Sequence, residues 1–308
     1  MKRRVVEQGG LTLMVSLPRK WAKKHNLKKG DEIDLEEQGI DLCISAKKEQ
    51  SIKKLEINVS GLSVVLLYKY MFSAYNLGYD EIKIIFDESE ILNLKTKKTE
   101  KIAERLQAIT NDLIGFEIVE QKDKHWTLKD LGSIREDEFD NILRRIFLLT
   151  KMMVADFQDA INKNNNDTLL EMRLRQRNIE KFIRFCLRIL SKEERPKSST
   201  YNNILIELKE LVDVYAWLGE LESKKNKTDK RVIHLIEHVN SLLIHYIDTF
   251  HTYSKEDALE IAKKRRKCFE VVNKLRPELP KESQTFGNLT KIIDLVHLLL
   301  EMRIALEL

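Results

Sequence analysis

The sequence predicts a multidomain α+β protein in three zones: a small β-rich head over residues 1–48, a small α/β sandwich over 49–133, and an all-α region over 134–308. Three observations predict this. Hydrophobic periodicity changes twice along the chain, from alternation, to interleaved strand and helix patterns, to helical periods alone from Glu136 onward. Only 10 Gly and 4 Pro accompany 33% charged residues, a helix-rich composition. The 308 residues are 43% hydrophobic, enough to fill more than one core.

The head alternates around one short helix in β-α-ββ order: "TLMVSLP", then "PRKWAKKHN", then "DEIDLEEQGIDLCIS", with Gln38 and Gly39 at the expected hairpin turn. The middle zone reads β-α-β-α-β-β, from "KKLEINVS" through helices in "LSVVLLYKYMFSAYNLGY" and "KTEKIAERLQAITNDL" to "FEIVEQ" and "HWTLKDL". Beyond it, loop signals at "KNNN", "ERPKSST", "KKNKT" and "RPELPKESQTFGN" separate six helical stretches. A weak internal repeat runs through them. At a shift of 89, Asp159 meets Asp248, Glu171 meets Glu260, Arg175 meets Lys264 and Arg177 meets Arg266; at a shift of 81, "DVYAWLGE" meets "DLVHLLLE". Two tandem three-helix units follow, over 136–225 and 226–308.

The charge is local. The whole chain carries +5, but residues 1–30 hold nine Lys or Arg and a single acid, Glu7. In the head helix, Pro18 suits the first turn, and Asn26 suits a left-handed closure with Leu27 folding back. Trp21, Ala22 and His25 share one face, while Arg19 with Lys23 and Lys20 with Lys24 form basic columns on the other. So small a head, with four short strands, cannot bury enough apolar surface alone, and a second copy is the simplest remedy.

Ser16 to Ile33 resembles the AbrB/MazE/SpoVT swapped-hairpin DNA-binding domain, whose S-L-P-K-x-W/L pattern continues into L-x-x-G-D-x-V/I; "SLPRKWAKKHNLKKGDEI" follows it. The middle zone, with "AYNLGYDEIKI" and "LIGFEIVEQ", and the repeated helices are similar to archaeal PhoU-type phosphate-uptake regulators carrying such a head. The resemblance implies a dimeric swapped-hairpin β-barrel and a PhoU-like pair of three-helix bundles. It also implies double-stranded DNA as a partner, contacted through Arg3, Arg4, Arg19, Lys20, Lys23, Lys24 and Lys28, and a transporter or regulatory protein as a second partner. No cofactor is implied.

The resemblance further brings acidic metal-binding motifs on the second helix of each repeat, and here the chain departs from it. Those positions read "QRNIE", Gln176 to Glu180, and "RRKCF", Arg265 to Phe269. Glu180, Glu220 and Glu301 remain, but the upstream partners of the last two are Ala216 and His297. A cluster of cations needs many anionic ligands, so loss of metal binding is expected. In its place runs a basic column, Arg173, Arg177, Lys181, Arg184 and Arg188, read as a solvated face or as an anion- or partner-binding surface.

Two readings carry less. "HLIEH", His234 to His238, has the form of an inverted zinc-protease signature. Val232, Leu235, Ile236, Val239, Leu242 and Leu243 make the buried stripe of that helix, however, which leaves His234, His238 and His245 facing water and no walled cleft. No Gly-rich phosphate loop, nucleophile elbow or CxxC pair occurs, so an enzyme is not expected. Cys43, Cys186 and Cys268 are odd in number and far apart, and the longest apolar run is broken by Lys69; a reducing cytoplasm and no membrane insertion are expected. Two function classes remain: a DNA-binding regulator, and an adaptor acting on a phosphate transporter with the head serving only to dimerise. The long folded tail argues against a plain antitoxin.

Overall fold

The computed structural model describes residues 3–10, 12–38, 41–46, 52–132, 138–193 and 195–308. They form two compact units, 1–52 and 53–308.

The first unit holds two antiparallel hairpins, β1 (Val5–Gln8) with β2 (Thr12–Val15) and β3 (Ile33–Gln38) with β4 (Asp41–Ala46), on either side of helix α1 (Arg19–Lys24). Strand β1 adds to the β-α-ββ reading: Gly9 and Gly10, both at positive φ, turn the chain back onto it. The hairpins form separate two-stranded sheets, so the single chain closes no barrel among the described residues. Gly39 lies outside the described residues.

The second unit begins with a four-stranded sheet of order β5 (Lys54–Asn58), β6 (Glu81–Ile85), β10 (His125–Asp130), β9 (Phe116–Lys122). Helix α2 (Val64–Asn76) links parallel β5 and β6, as a parallel pair requires. One face of the sheet is apolar: register aligns Leu55, Ile82, Leu128 and Ile118 in one row. Val64, Leu67, Met71 and Tyr75 of α2, and Leu106 and Ile109 of α3 (Ile102–Asn111), are buried in the same core. The other face carries ion pairs, Lys83 with Glu56 at 2.9 Å and Lys54 with Glu81 at 3.0 Å.

A hairpin of β7 (Glu90–Asn93) and β8 (Lys98–Lys101) stands where helix was expected from "KTEK". Its turn is built by a side chain: Asn93 Oδ1 accepts from the Lys95 and Thr96 amides, with Lys97 at φ 58°.

Six long helices follow: α4 (Glu138–Lys163), α5 (Asn166–Lys192), α6 (Ser198–Glu222), α7 (Lys230–Thr249), α8 (Lys255–Glu278) and α9 (Ser283–Ala305). Two of these helices start alike. Asn165 Oδ1 accepts from the Thr168 amide at the start of α5, and Ser254 Oγ accepts from the Asp257 amide at the start of α8, 89 residues later. The two three-helix units join through α4 and α6 packing on α7 and α9. Tyr215 donates to Asn240, which donates to Gln158, and the buried Glu222 accepts from Lys225, Thr228 and Thr285. Within the first three-helix unit α5 and α6 approach closely at Gly219, where a Cβ would strike the Leu169 carbonyl oxygen. Among the described residues no helix is long and apolar enough to cross a membrane, and Cys186 and Cys268 are free and buried.

Candidate nucleic-acid interface and the polar face of α5

Helix α1 ends as its sequence predicts. Asn26 is left-handed at φ 55°, its amide donates to the Lys23 carbonyl, and the Leu27 amide donates to the Ala22 carbonyl, which closes the helix and turns the chain toward β3. At the start, Pro18 takes the capping position, one residue ahead of the helix. Gly30 at φ 97° and the Asp31 amide bonded to the Lys28 carbonyl form the next turn. Arg3, Arg4, Arg19, Lys20, Lys23, Lys24 and Lys28 are all exposed.

The opposite face of α1 is only partly covered. Trp21 and Ala22 are half-buried and His25 is exposed, its ring 5.1 Å from that of Trp21. Among residues 3–7, 9–10 and 12–35 none is buried. Val5, Val6, Leu13 and Leu35 are each more than half exposed, whereas β6 of the second unit buries Ile82 and Ile84 in alternation. One chain supplies the strands and leaves their apolar side chains uncovered.

On α5 the basic column is not one surface. Arg177 is exposed, and Lys181 donates to the Asn111 carbonyl at 2.6 Å. Arg173 donates twice to Glu220, at 3.0 and 2.9 Å, and lies over the Trp217 ring. Arg184 is buried, donating to Glu180 at 2.7 Å with its guanidinium 4.0 Å from the Phe72 ring centre. Arg188 is fully buried. It donates to the Tyr75 and Tyr79 carbonyls at 3.0 and 2.8 Å and to Asp80 and Asp130 at 3.3 and 2.7 Å. Its guanidinium is packed against Tyr75 and Phe116. The expectation of a solvated or anion-binding face is therefore corrected at Arg184 and Arg188: α5 packs against α2, and the protein's own carboxylates are their partners.

Residues 8–52 match the family model described as "Antidote-toxin recognition MazE, bacterial antitoxin". These residues form a MazE/AbrB-like domain. No curated protein matches the chain. Among solved structures, the crystal structure of the phosphate transport system regulatory protein PhoU from Streptococcus pneumoniae is similar at 14% identity and a TM-score of 0.49, over 56% of this chain and 94% of that one.

Downstream of the MazE/AbrB-like domain, the acidic positions do not fit a metal cluster. Lys209 stands 3.2 Å from Glu180 and 2.8 Å from Asp213, and Gln176 donates to both carboxylates at 2.7 Å. Arg173 holds Glu220, Ala216 is buried, and His297 and Glu301 are exposed. Fixed cations occupy the space between α5 and α6 where an ion would need anionic ligands. Among the described residues no group of three or more His, Cys, Asp or Glu is placed to hold an ion.

Sequence reasoning missed Asp80 and Asp130, the partners of Arg188. They sit at the ends of β6 and β10, on strands antiparallel to one another, and only sheet pairing brings them together. Burial pushes the Asp80 carboxyl up, but the bonds from Lys192 and the Lys53 amide and the charge of Arg188 outweigh it and hold the group below the ordinary carboxylate range. Glu180 behaves alike: burial raises it, and Lys209 with Arg184 brings it lower. Asp213 is raised, by burial first. A depressed carboxyl stabilises the fold above its unfolded pKa and loses that contribution as pH falls through its folded value. Thermal midpoints are accordingly expected to drop on acidification below the ordinary carboxylate range, whereas Asp213 contributes the opposite change at higher pH, between its raised folded value and the ordinary one. Asp80→Asn should start lower at pH 7 and lose less on acidification; an unchanged slope in that variant would show that Asp80 contributes nothing to it.

Proposed function

We propose that this protein is a dimeric, cytoplasmic, DNA-binding transcriptional regulator whose MazE/AbrB-like domain grips DNA phosphates while residues 53–308 sense or recruit. One observation carries the reading: the head leaves Val5, Val6, Leu13 and Leu35 of its strands more than half exposed. A second copy of the same hairpins would cover those strands and complete a barrel, and it would bring two copies of the α1 basic face together. Arg3, Arg4, Arg19, Lys20, Lys23, Lys24 and Lys28 are the proposed phosphate contacts, the type that fixes position without reading sequence. Trp21 then serves as an anchor between chains.

The link to phosphate uptake rests on the resemblance of the helical sequence alone. The second reading is an adaptor on a phosphate transporter, with the head only dimerising; the name of the matching family, which speaks of toxin recognition, also allows a protein partner for that head. Titration of duplex DNA with the full chain at several salt concentrations separates the two. A sedimenting dimer whose affinity falls steeply with salt is expected, whereas a dimer without salt-dependent binding supports the adaptor.

A further inference from the structure

Helix α7 turns a pair of imidazoles outward, away from the stripe of Val232, Leu235, Ile236 and Val239 that it buries. His234 and His238 stand one turn apart with ring centres 4.5 Å apart. The side chain of His234 is 72% exposed, and His238 is partly exposed. Each ring has one nitrogen engaged. Nδ1 of His234 lies 3.0 Å from Glu237 Oε2, and Nδ1 of His238 lies 2.7 Å from the His234 carbonyl oxygen. Carboxylates and carbonyls only accept, so Nδ1 carries the hydrogen in both rings, and each neutral ring keeps its lone pair on Nε2.

That is the arrangement a metal-ligating histidine takes, with its far nitrogen donating to a carboxylate or a carbonyl that fixes tautomer and orientation. We propose that His234 and His238 form a two-imidazole site for a borderline divalent transition metal such as Zn²⁺, Ni²⁺ or Cu²⁺, bound through both Nε2 atoms. Glu237 positions His234 and is not itself a ligand. Bonds of about 2.1 Å to one ion place two nitrogens about 3 Å apart, a spacing that rings with centres 4.5 Å apart can present. Imidazole selects against Mg²⁺ and Ca²⁺, which take oxygen ligands. The protein supplies two ligands and water the others, so the site is open and exchangeable, unlike a closed structural zinc site. Lys230, one turn earlier, and Lys264, which reaches Ser241 on the same helix at 3.3 Å, oppose a cation and keep the affinity modest. The site is remote in sequence from the acidic positions on α5 and α6 and needs none of them.

Calorimetric titration of the full chain with zinc chloride alone tests this. One saturable Zn²⁺ per chain is expected. His234→Gln and His238→Gln should each weaken it about tenfold or more, and Glu237→Gln should weaken it measurably, the effect of losing an outer partner. All three positions are accessible, so circular dichroism without metal should show parental folding. The Cu²⁺ form should show hyperfine coupling to two imidazole nitrogens in its paramagnetic resonance spectrum, reduced to one in His238→Gln. Unchanged stoichiometry and affinity in both histidine variants would assign the binding to the other five histidines and overturn the proposal; an unchanged Glu237→Gln would remove Glu237 from it.

Discussion

Arg188→Ala is expected to cost about 3–5 kcal/mol of folding stability, the range for breaking a buried ion pair from one side. The guanidinium is fully buried, and four of its hydrogen bonds cross from α5 to the α/β layer: two to the carbonyls of Tyr75 and Tyr79 at the end of α2, two to Asp80 and Asp130. Truncation strands Asp130, whose side chain is 6% exposed, and leaves two carbonyls without their donor. Lys192 is the remaining cation at the site. It bonds Asp80 closely but reaches Asp130 only at 3.5 Å, so it cannot take over both. Arg188→Lys should also be costly, because one ammonium on a flexible stem cannot reproduce a planar fork bonded to four acceptors. Denaturant unfolding of both variants at pH 7 measures this. A double-mutant cycle with Asp130→Asn should show strong coupling, since the two groups are in contact; a midpoint for Arg188→Ala within error of the parent would mean that the two layers hold together without it.

The Lys23→Ala/Lys24→Ala double variant should bind duplex DNA about 10- to 1,000-fold more weakly near 0.1 M salt, from counterion release at up to four phosphates per dimer. The magnitude of its salt slope should fall by about one for each phosphate that the variant no longer neutralises. Both lysines are exposed on a helix whose closure depends on Asn26 and Leu27 backbone amides, not on their side chains. Dimerisation should therefore stay parental, and sedimentation checks it. Trp21→Ala should fail differently, by weakening the dimer. A double variant that matches the parent across the whole salt range would leave α1 a solvated face and favour the adaptor.

What the sequence revealed and what it hid divide by range. The Asn26 closure, the buried stripe of α7 and the repeat offset that reappears in the Asn165 and Ser254 caps are all written within a few residues, where period and capping chemistry act. The β7–β8 hairpin was hidden because an asparagine side chain, not Gly or Pro, makes its turn amid lysines that also suit a helix. Arg188 was misread for the opposite reason. Its spacing places it correctly on the column of α5, but whether that column faces water depends on α2, over a hundred residues earlier. The head is a third case: its alternation shows the strands, while the described residues of one chain leave Val5, Val6, Leu13 and Leu35 uncovered.

The two three-helix units have been left under unequal constraint. Helix α5 is held on one side by α6 and on another by α2, and it buries eleven residues; α8, its counterpart in the repeat, buries four and packs on α7 and α9 of its own unit. The positions matching Arg184 and Arg188 at the offset of 89 are Asn273 and Pro277, both exposed. If the units arose by duplication, the copy without a sheet to answer to could drift, and the uninterrupted run Lys263–Lys267 on α8 is what such freedom permits. Tolerance to random substitution should then be lopsided between these two helices, with α8 accepting changes that α5 cannot.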